Sequence, residues 1–214
     1  MGFFIYTQST DAMVKSFVRI ELTQQESIHA AIFGALWGAI EIVIGTALHA
    51  ARVPFRGIVL SLLAVLVLVC AKAFVRRKGS LLLIGAVAAT LKGLSMGGFV
   101  LTPMLAIFVE ASVAEIAFAL FGVRRFAALI AGSLALLYTF SHGLLAQGIL
   151  FGTDIYLVYF DLFQRVLGAL DVPQMSLLAL LGGLAFVHAA LGVVAALFAW
   201  SVAQRAKTLI EETA

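Results

Sequence analysis

Long apolar runs separated by short polar connections make up most of the chain. Six of these runs cover residues 27–48, 57–75, 80–100, 103–122, 126–150 and 176–203, and each is close to the roughly 20 residues that a helix needs to cross a bilayer. The runs are continuous, whereas the strands of a membrane barrel would alternate apolar and polar residues. Because backbone groups in lipid must be hydrogen-bonded within their own segment, we predict an all-α integral membrane bundle of six transmembrane helices.

Two polar segments flank and interrupt these runs. Thr23 and Glu26 have the spacing of a capping box, which predicts that the first helix begins near Gln24. Residues 1–27 lack the apolar core and cleavage site of a signal peptide, so we interpret them as retained.

The connection 151–175 is too polar to span a membrane and too aromatic for a plain linker. Tyr156, Tyr159, Phe160 and Phe163 recur there at helical spacing, which predicts a short helix with these rings on one side. Two interpretations stay open for this helix. It could lie in the membrane interface, where amphipathic rings sit at headgroup depth, or it could form a lid over a site that opens outward.

Composition and charge favour the same class of protein and add an orientation. Of the 214 residues, 63% are hydrophobic and only 12% are charged, which is too little charge to cover a soluble globule. The mean hydropathy is +1.12. A net charge of +3 is slight, and nothing in the chain indicates nucleic-acid binding.

The basic residues are distributed unequally between the two sides of the predicted bundle. With both termini in the cytoplasm, the inner side carries Lys15, Arg19, Lys72, Arg76, Arg77, Lys78, Arg124, Arg125, Arg205 and Lys207, and the outer side carries Arg52, Arg56 and Arg165. The positive-inside rule favours this orientation. We therefore predict a multi-pass protein of the inner cell membrane, with cytoplasmic segments 1–27 and 205–214 around a transmembrane domain 28–204.

Small residues form two rows on the first span. Ala31, Ala35 and Ala39 form one row, and Gly34 and Gly38 form another about a quarter turn away. Small residues let membrane helices approach closely. One row could serve the bundle and the other a partner protein, so we treat both rows as candidate partner interfaces.

Charged and polar side chains within the spans are the candidate functional residues, because ionisable groups at membrane depth are costly and tend to mark function or an internal pair. We predict one outward-opening polar cavity that binds a substrate, lined by Glu41, His49, Arg52, Lys92, Glu110 and His142. The open alternative is that Lys92 forms a salt bridge with Glu110 or Glu41. Glu115 lies about 140° around its helix from Glu110 and is assigned to packing or to a partner face.

Other functions remain as alternatives at this stage. His142 and His188 could ligate a haem iron as in a membrane cytochrome, although a hydrogen-bonded core histidine is commoner. A structural or assembly protein would use its buried charges only to neutralise one another. The spacing of His49, Glu41 and His142 matches no recognised metal site, so we assign no metal.

The architecture of residues 28–204, the row Ala31, Ala35 and Ala39, and the polar groups at the outer end resemble the substrate-binding S components of energy-coupling factor transporters. This resemblance implies capture of a vitamin, a vitamin precursor or a metal ion. It also implies a transmembrane coupling subunit and two ATPase subunits as partners. The chain contains no phosphate-binding loop of the Gly-x-x-x-x-Gly-Lys-Ser/Thr type, so we expect no enzymatic activity and no cofactor of its own.

Overall fold

The fold is a bundle of α-helices. The computed structural model describes residues 22–53, 55–95 and 101–213, and over these ranges it contains seven helices and no strand. The helices are α1 (Gln24–Ala50), α2 (Arg56–Phe74), α3 (Ser80–Ser95), α4 (Leu101–Phe121), α5 (Arg125–Phe151), α6 (Asp154–Ala169) and α7 (Leu177–Thr213). The all-α prediction is confirmed for this part of the chain.

Five of these helices, namely α1, α2, α4, α5 and α7, are long and apolar enough to cross a membrane. This is the make-up of a multi-pass membrane protein. Helix α3 is apolar but has only 16 residues, and the predicted end of its span, with Gly97 and Gly98, falls outside the described residues.

The predicted capping box starts α1. The Thr23 hydroxyl accepts a hydrogen bond from the backbone N–H of Glu26 (3.2 Å), and the Glu26 carboxylate accepts one from the backbone N–H of Thr23 (2.9 Å). Two amides that have no partner within the helix are thereby satisfied. The helix begins at Gln24, where the sequence pattern places it.

Helix α2 lies at the centre and packs against α1, α5 and α7, while α3 lies between α1 and α4. The bundle has two ends, which we name by an arginine. The Arg52 end holds the α1–α2 connection, and the Arg77 end holds the α2–α3 connection. These names carry no statement about the side of the membrane.

Helix α6 folds back against the last turns of α5. The Tyr156 hydroxyl donates a hydrogen bond to the carbonyl of Leu144 (2.8 Å). Tyr156, Phe160 and Phe163 are half-buried, whereas Tyr159 is exposed. The predicted short aromatic helix therefore exists, with three of its four rings turned partly inward.

Helices α5 and α7 touch through their backbones at two glycines. A methyl group built on Gly132 would overlap the carbonyl oxygen of Gly192, and one built on Gly192 would overlap the carbonyl oxygen of Gly132. Backbone atoms cannot move aside as a flexible side chain can. The close crossing therefore requires glycine on both helices.

Replacing Gly192 with alanine is expected to lower the free energy of unfolding by about 1–3 kcal/mol, since the two helices must separate to admit the methyl group. The measurement is thermal stability of the purified protein in detergent. Gly143→Ala is the matched control on α5, because a methyl group there meets no atom within 4 Å. If Gly192→Ala and Gly143→Ala melted at the same temperature, the close crossing of α5 and α7 would be contradicted.

Candidate binding site

Two clusters of buried charged side chains lie inside the bundle. Glu41, Lys92 and Glu110 expose only 6%, 6% and 5% of their surfaces, and Lys72 and Glu115 are equally buried at 2% and 6%. The first three come from α1, α3 and α4 and lie toward the Arg52 end. The other two come from α2 and α4 and meet at the Arg77 end.

Lys92 meets α1 through a backbone group. Its ammonium donates a hydrogen bond to the backbone carbonyl of Glu41 (2.5 Å). It forms no ion pair with a carboxylate of the described residues. The open alternative, a salt bridge from Lys92 to Glu41 or Glu110, is not seen as an ion pair among the described residues, although Lys92 and Glu41 do meet.

Gly45 makes this contact possible. The carbonyl of Glu41 points along the helix toward Gly45, one turn on, and a side chain at that position would cover it. A methyl group built on Gly45 would lie 3.1 Å from the Lys92 ammonium nitrogen. The glycine row of α1 thus ends at a site where a lysine reaches the helix backbone.

The Glu41 carboxylate faces the indole of Trp37, which lies one turn earlier on the same face of α1 and is fully buried. The indole N–H interacts with this carboxylate, although the contact falls short of full hydrogen-bond geometry. Buried polar groups are nearly always hydrogen-bonded in folded proteins. The two side chains are therefore each other's polar partners on α1.

Glu110 is held by hydroxyl groups from two other helices. Ser61 of α2 donates a short hydrogen bond to Oε1 of Glu110, and the Thr139 hydroxyl of α5 lies 3.1 Å from the same oxygen. The two hydroxyl oxygens are 2.5 Å apart. The second oxygen, Oε2 of Glu110, accepts no hydrogen bond from the described part of the chain and remains available.

Glu41 with Lys92, and Glu110 with Ser61 and Thr139, lie on helices that pack against one another. We call these residues together with Trp37 the Glu41 cluster, and it consists of Trp37, Glu41, Ser61, Lys92, Glu110 and Thr139. An apolar crevice between α2, α4 and α5 is a separate feature, because no residue of the cluster lines it.

The remaining predicted site residues lie outside this cluster. His49 and Arg52 are exposed at the Arg52 end. His142 is half-buried and packs against Tyr138, with 5.5 Å between ring centroids. The structure therefore joins Glu41 and Lys92 by a hydrogen bond, bonds Glu110 to Ser61 and Thr139 instead, and places the other three toward the same end without hydrogen bonds to them from the described residues.

The two histidines of the haem alternative are engaged separately. His188 bonds through Nδ1 to the carbonyl of Leu184 (2.7 Å) and packs on Phe140 at 4.9 Å between centroids, whereas His142 packs on Tyr138. Within residues 22–53, 55–95 and 101–213, no group of three or more His, Cys, Asp or Glu side chains is placed to hold a metal ion.

The second buried cluster is hydrogen-bonded throughout, and we call it the Lys72 cluster. The Lys72 ammonium lies 2.8 and 2.9 Å from the two oxygens of Glu115, and it also reaches the carbonyl of Arg77 (2.7 Å) and the hydroxyl of Ser80 (3.2 Å). The Glu115 carboxylate accepts two backbone N–H bonds as well, from Gly79 (2.8 Å) and Leu81 (3.0 Å). Glu115 thereby caps the first turn of α3.

The contrast between the clusters indicates which one binds a ligand. Both contain a lysine and a glutamate at similar burial. In the Lys72 cluster protein groups satisfy both charges, which is typical of a structural pair. In the Glu41 cluster the described residues bond the Lys92 ammonium only to a backbone carbonyl and leave Oε2 of Glu110 without a donor, and this is an arrangement that a bound molecule can complete.

The two small-residue rows of α1 also have different surroundings. Gly34 and Gly38 are buried, where methyl groups would collide with Val87 and Leu91 of α3. Ala31, Ala35 and Ala39 are exposed on the outside of the bundle. The glycine row thus packs within the chain, and the alanine row is open to lipid or to a partner.

Sequence reasoning missed Trp37, Ser61 and Thr139, and it counted Lys72 with the basic residues of the inner side. The available signal was helical spacing: Trp37 lies four residues before Glu41, and Gly45 lies four residues after it. The contacts of Ser61 and Thr139 with Glu110 join residues 49 and 29 positions apart. No local pattern reports contacts between such distant positions.

Comparisons of the chain with protein-family models, with curated proteins and with solved structures give no match.

Proposed function

We propose that the chain is the membrane-embedded substrate-binding subunit of a transporter that takes up a micronutrient and is energised by separate ATPase subunits. The observation that carries this proposal is the unfilled hydrogen-bonding capacity of the Glu41 cluster. The Lys72 cluster shows that this fold can satisfy a buried lysine and glutamate completely where it uses them for stability. The subunit binds its substrate by charge and hydrogen bonding, without chemistry.

The proposed topology has six spans, α1 to α5 and α7, with both termini in the cytoplasm of the inner cell membrane. It rests on the excess of basic residues at the Arg77 end, which makes the Arg52 end the outer one. The rise along α1 from Gln24 to Glu41 is then roughly 25 Å. This depth puts the cluster in the outer half of the membrane, within reach of a substrate that arrives from outside.

The proposed partners are a transmembrane coupling subunit and two ATPase subunits, as the resemblance to S components suggests. Support comes from the position of the alanine row. Ala31, Ala35 and Ala39 are exposed and small, so the backbone of another membrane helix could approach α1 closely along this face.

Replacing Ala35 with leucine is expected to release the coupling subunit while the isolated chain stays folded, because the larger side chain keeps the partner helix away from α1. The measurement is recovery of ATPase subunits when the tagged chain is purified from native membranes. Ala190→Leu is the matched control, since it makes the same change at an exposed position of α7. Undiminished recovery with Ala35→Leu would argue against this face as the interface.

The function is tested by identifying what the chain carries. The protein is purified in mild detergent, and small molecules released by denaturation are identified by mass spectrometry. We expect one water-soluble compound in near-stoichiometric amount. A preparation that carries no such compound and binds none from a broad panel of vitamins, precursors and metal ions would favour an assembly protein instead.

A further inference from the structure

Glu110 is a buried carboxyl group without a counter-charge among the described residues. It exposes only 5% of its surface, and no ion pair in the described part of the chain includes it. Its hydrogen-bond contacts there are the hydroxyl groups of Ser61 and Thr139, which are neutral. An ionised carboxylate at membrane depth is costly unless a positive charge compensates it, whereas a carboxyl group that holds a proton carries no charge.

The titratable groups on the surrounding helices are exposed or engaged with other residues. Toward the Arg52 end they are Glu41 on α1, Arg56 at the exposed start of α2, Lys92 on α3, and Tyr138 and His142 on α5. Lys92 bonds to the backbone carbonyl of Glu41, and Tyr138 packs against His142. Farther along α2, Lys72 is paired with Glu115. Within the described ranges, Glu110 therefore depends on hydrogen bonds rather than on an ion pair.

A chain of oxygen atoms runs from Glu110 across three helices. Oε1 of Glu110 contacts the Ser61 hydroxyl. The Ser61 hydroxyl oxygen lies 2.5 Å from the Thr139 hydroxyl oxygen, which in turn lies 3.1 Å from the backbone carbonyl oxygen of Ala135. Each of these contacts needs a hydrogen atom between its two oxygens to be a hydrogen bond.

The two hydroxyl groups cannot supply all of these hydrogen atoms, because each carries only one. With an ionised Glu110, Ser61 donates to Oε1. The single hydrogen atom of Thr139 must then serve Ser61, the carbonyl of Ala135 or Oε1 of Glu110, which is also 3.1 Å away. An ionised Glu110 therefore leaves the chain of contacts one hydrogen atom short.

A proton on Oε1 of Glu110 completes the chain. Oε1 then donates to Ser61, which donates to Thr139, and Thr139 donates to the carbonyl of Ala135. The direction of the first bond is the reverse of that for the ionised carboxylate, because a hydroxyl group can donate or accept. Oε2 becomes a carbonyl oxygen and keeps its capacity to accept a hydrogen bond from a substrate.

We propose that Glu110 is a proton-binding site, and that its neutral carboxyl group is the form held between α2, α4 and α5. The ligand is a proton, and the hydroxyl groups of Ser61 and Thr139 orient and retain it. Loss of this proton removes a hydrogen atom from the chain of contacts, so ionisation of Glu110 is linked to the packing of the three helices. The proposal goes beyond substrate binding and does not depend on it.

The test is infrared spectroscopy of the purified chain at neutral pH, in a detergent that contains no carbonyl group. A protonated carboxyl group has a C=O stretching band that is separate from the bands of carboxylates and that moves in heavy water. The spectrum of each variant is subtracted from that of the unmodified chain, so that the band of a single residue is seen.

We expect a carboxyl band that is lost in Glu110→Gln and kept in Glu212→Gln, the same change at an exposed position of α7. Ser61→Ala should keep the band but move it, because the O–H group of Glu110 then lacks its acceptor.

A spectrum without a carboxyl band at neutral pH would show that Glu110 is ionised and would overturn the proposal. A band that persists in Glu110→Gln and disappears in Glu41→Gln would overturn it as well, since the proton would then belong to Glu41. If Glu110→Gln fails to fold, Ser61→Ala decides, because a band that stays in place without the Ser61 hydroxyl does not come from Glu110.

Discussion

Replacing Glu115 with alanine is expected to lower the free energy of unfolding by about 3–5 kcal/mol, the cost of removing one partner of a buried ion pair. The change leaves the Lys72 ammonium buried without its counter-charge. It also leaves the backbone N–H groups of Gly79 and Leu81 at the start of α3 without their acceptor. Both losses act where α2, α3 and α4 meet.

The measurement is the fraction of protein that remains monodisperse in detergent after heating. A loss of this size should lower the melting temperature by about 10 °C. The double variant Lys72→Met with Glu115→Leu should recover most of the lost stability, because an apolar pair of similar volume can replace a buried ion pair. A Glu115→Ala variant as stable as Glu212→Ala, the same change at an exposed position of α7, would show that the pair is not structural.

Replacing Glu41 with glutamine is expected to weaken substrate binding about 100-fold, which corresponds to roughly 3 kcal/mol for one charged partner in a buried site. The side chains are nearly the same size. Glutamine keeps a side-chain oxygen that can face the Trp37 N–H, so the fold loses little with the charge. The melting temperature of the substrate-free protein should therefore change little.

Two quantities are measured on the same preparation. They are the dissociation constant of the co-purified compound and the melting temperature of the protein after that compound is removed. Glu115→Ala should show the opposite pattern, with reduced stability and unchanged affinity in the fraction that folds. Loss of stability without loss of affinity in Glu41→Gln would place Glu41 among the structural residues.

The helices were predictable because their signals are local. The capping box at Thr23 and Glu26 needs only four consecutive residues, and each apolar run identifies its own helix. Helix α7 continues to Thr213, beyond the apolar run that ends near residue 203. Lys207 packs there over the Phe74 ring at 5.7 Å, a contact between helices that the apolar pattern does not report.

The candidate site was predictable only in part. Glu41, Lys92 and Glu110 are conspicuous because charges are rare within membrane spans. Hydroxyl groups are not conspicuous in the same way, because most of them in these helices bond to the backbone of their own helix, as Thr90, Ser112 and Ser141 do. Ser61 and Thr139 differ from them only through the neighbours that the packing of α2, α4 and α5 provides.

Trp37 offers the most direct test of the claim that the Glu41 cluster binds the substrate. The chain has two tryptophans, so Trp200→Phe leaves Trp37 as the single emitter beside Glu41. The emission of this variant is followed while the compound released from the purified protein is added back.

We predict a saturable change in Trp37 emission that is lost when Glu41→Gln is added to Trp200→Phe. The complementary variant Trp37→Phe, which keeps Trp200, should show no change. The account would be contradicted by emission that stays constant while the compound binds, or by a change that persists in full with glutamine at position 41.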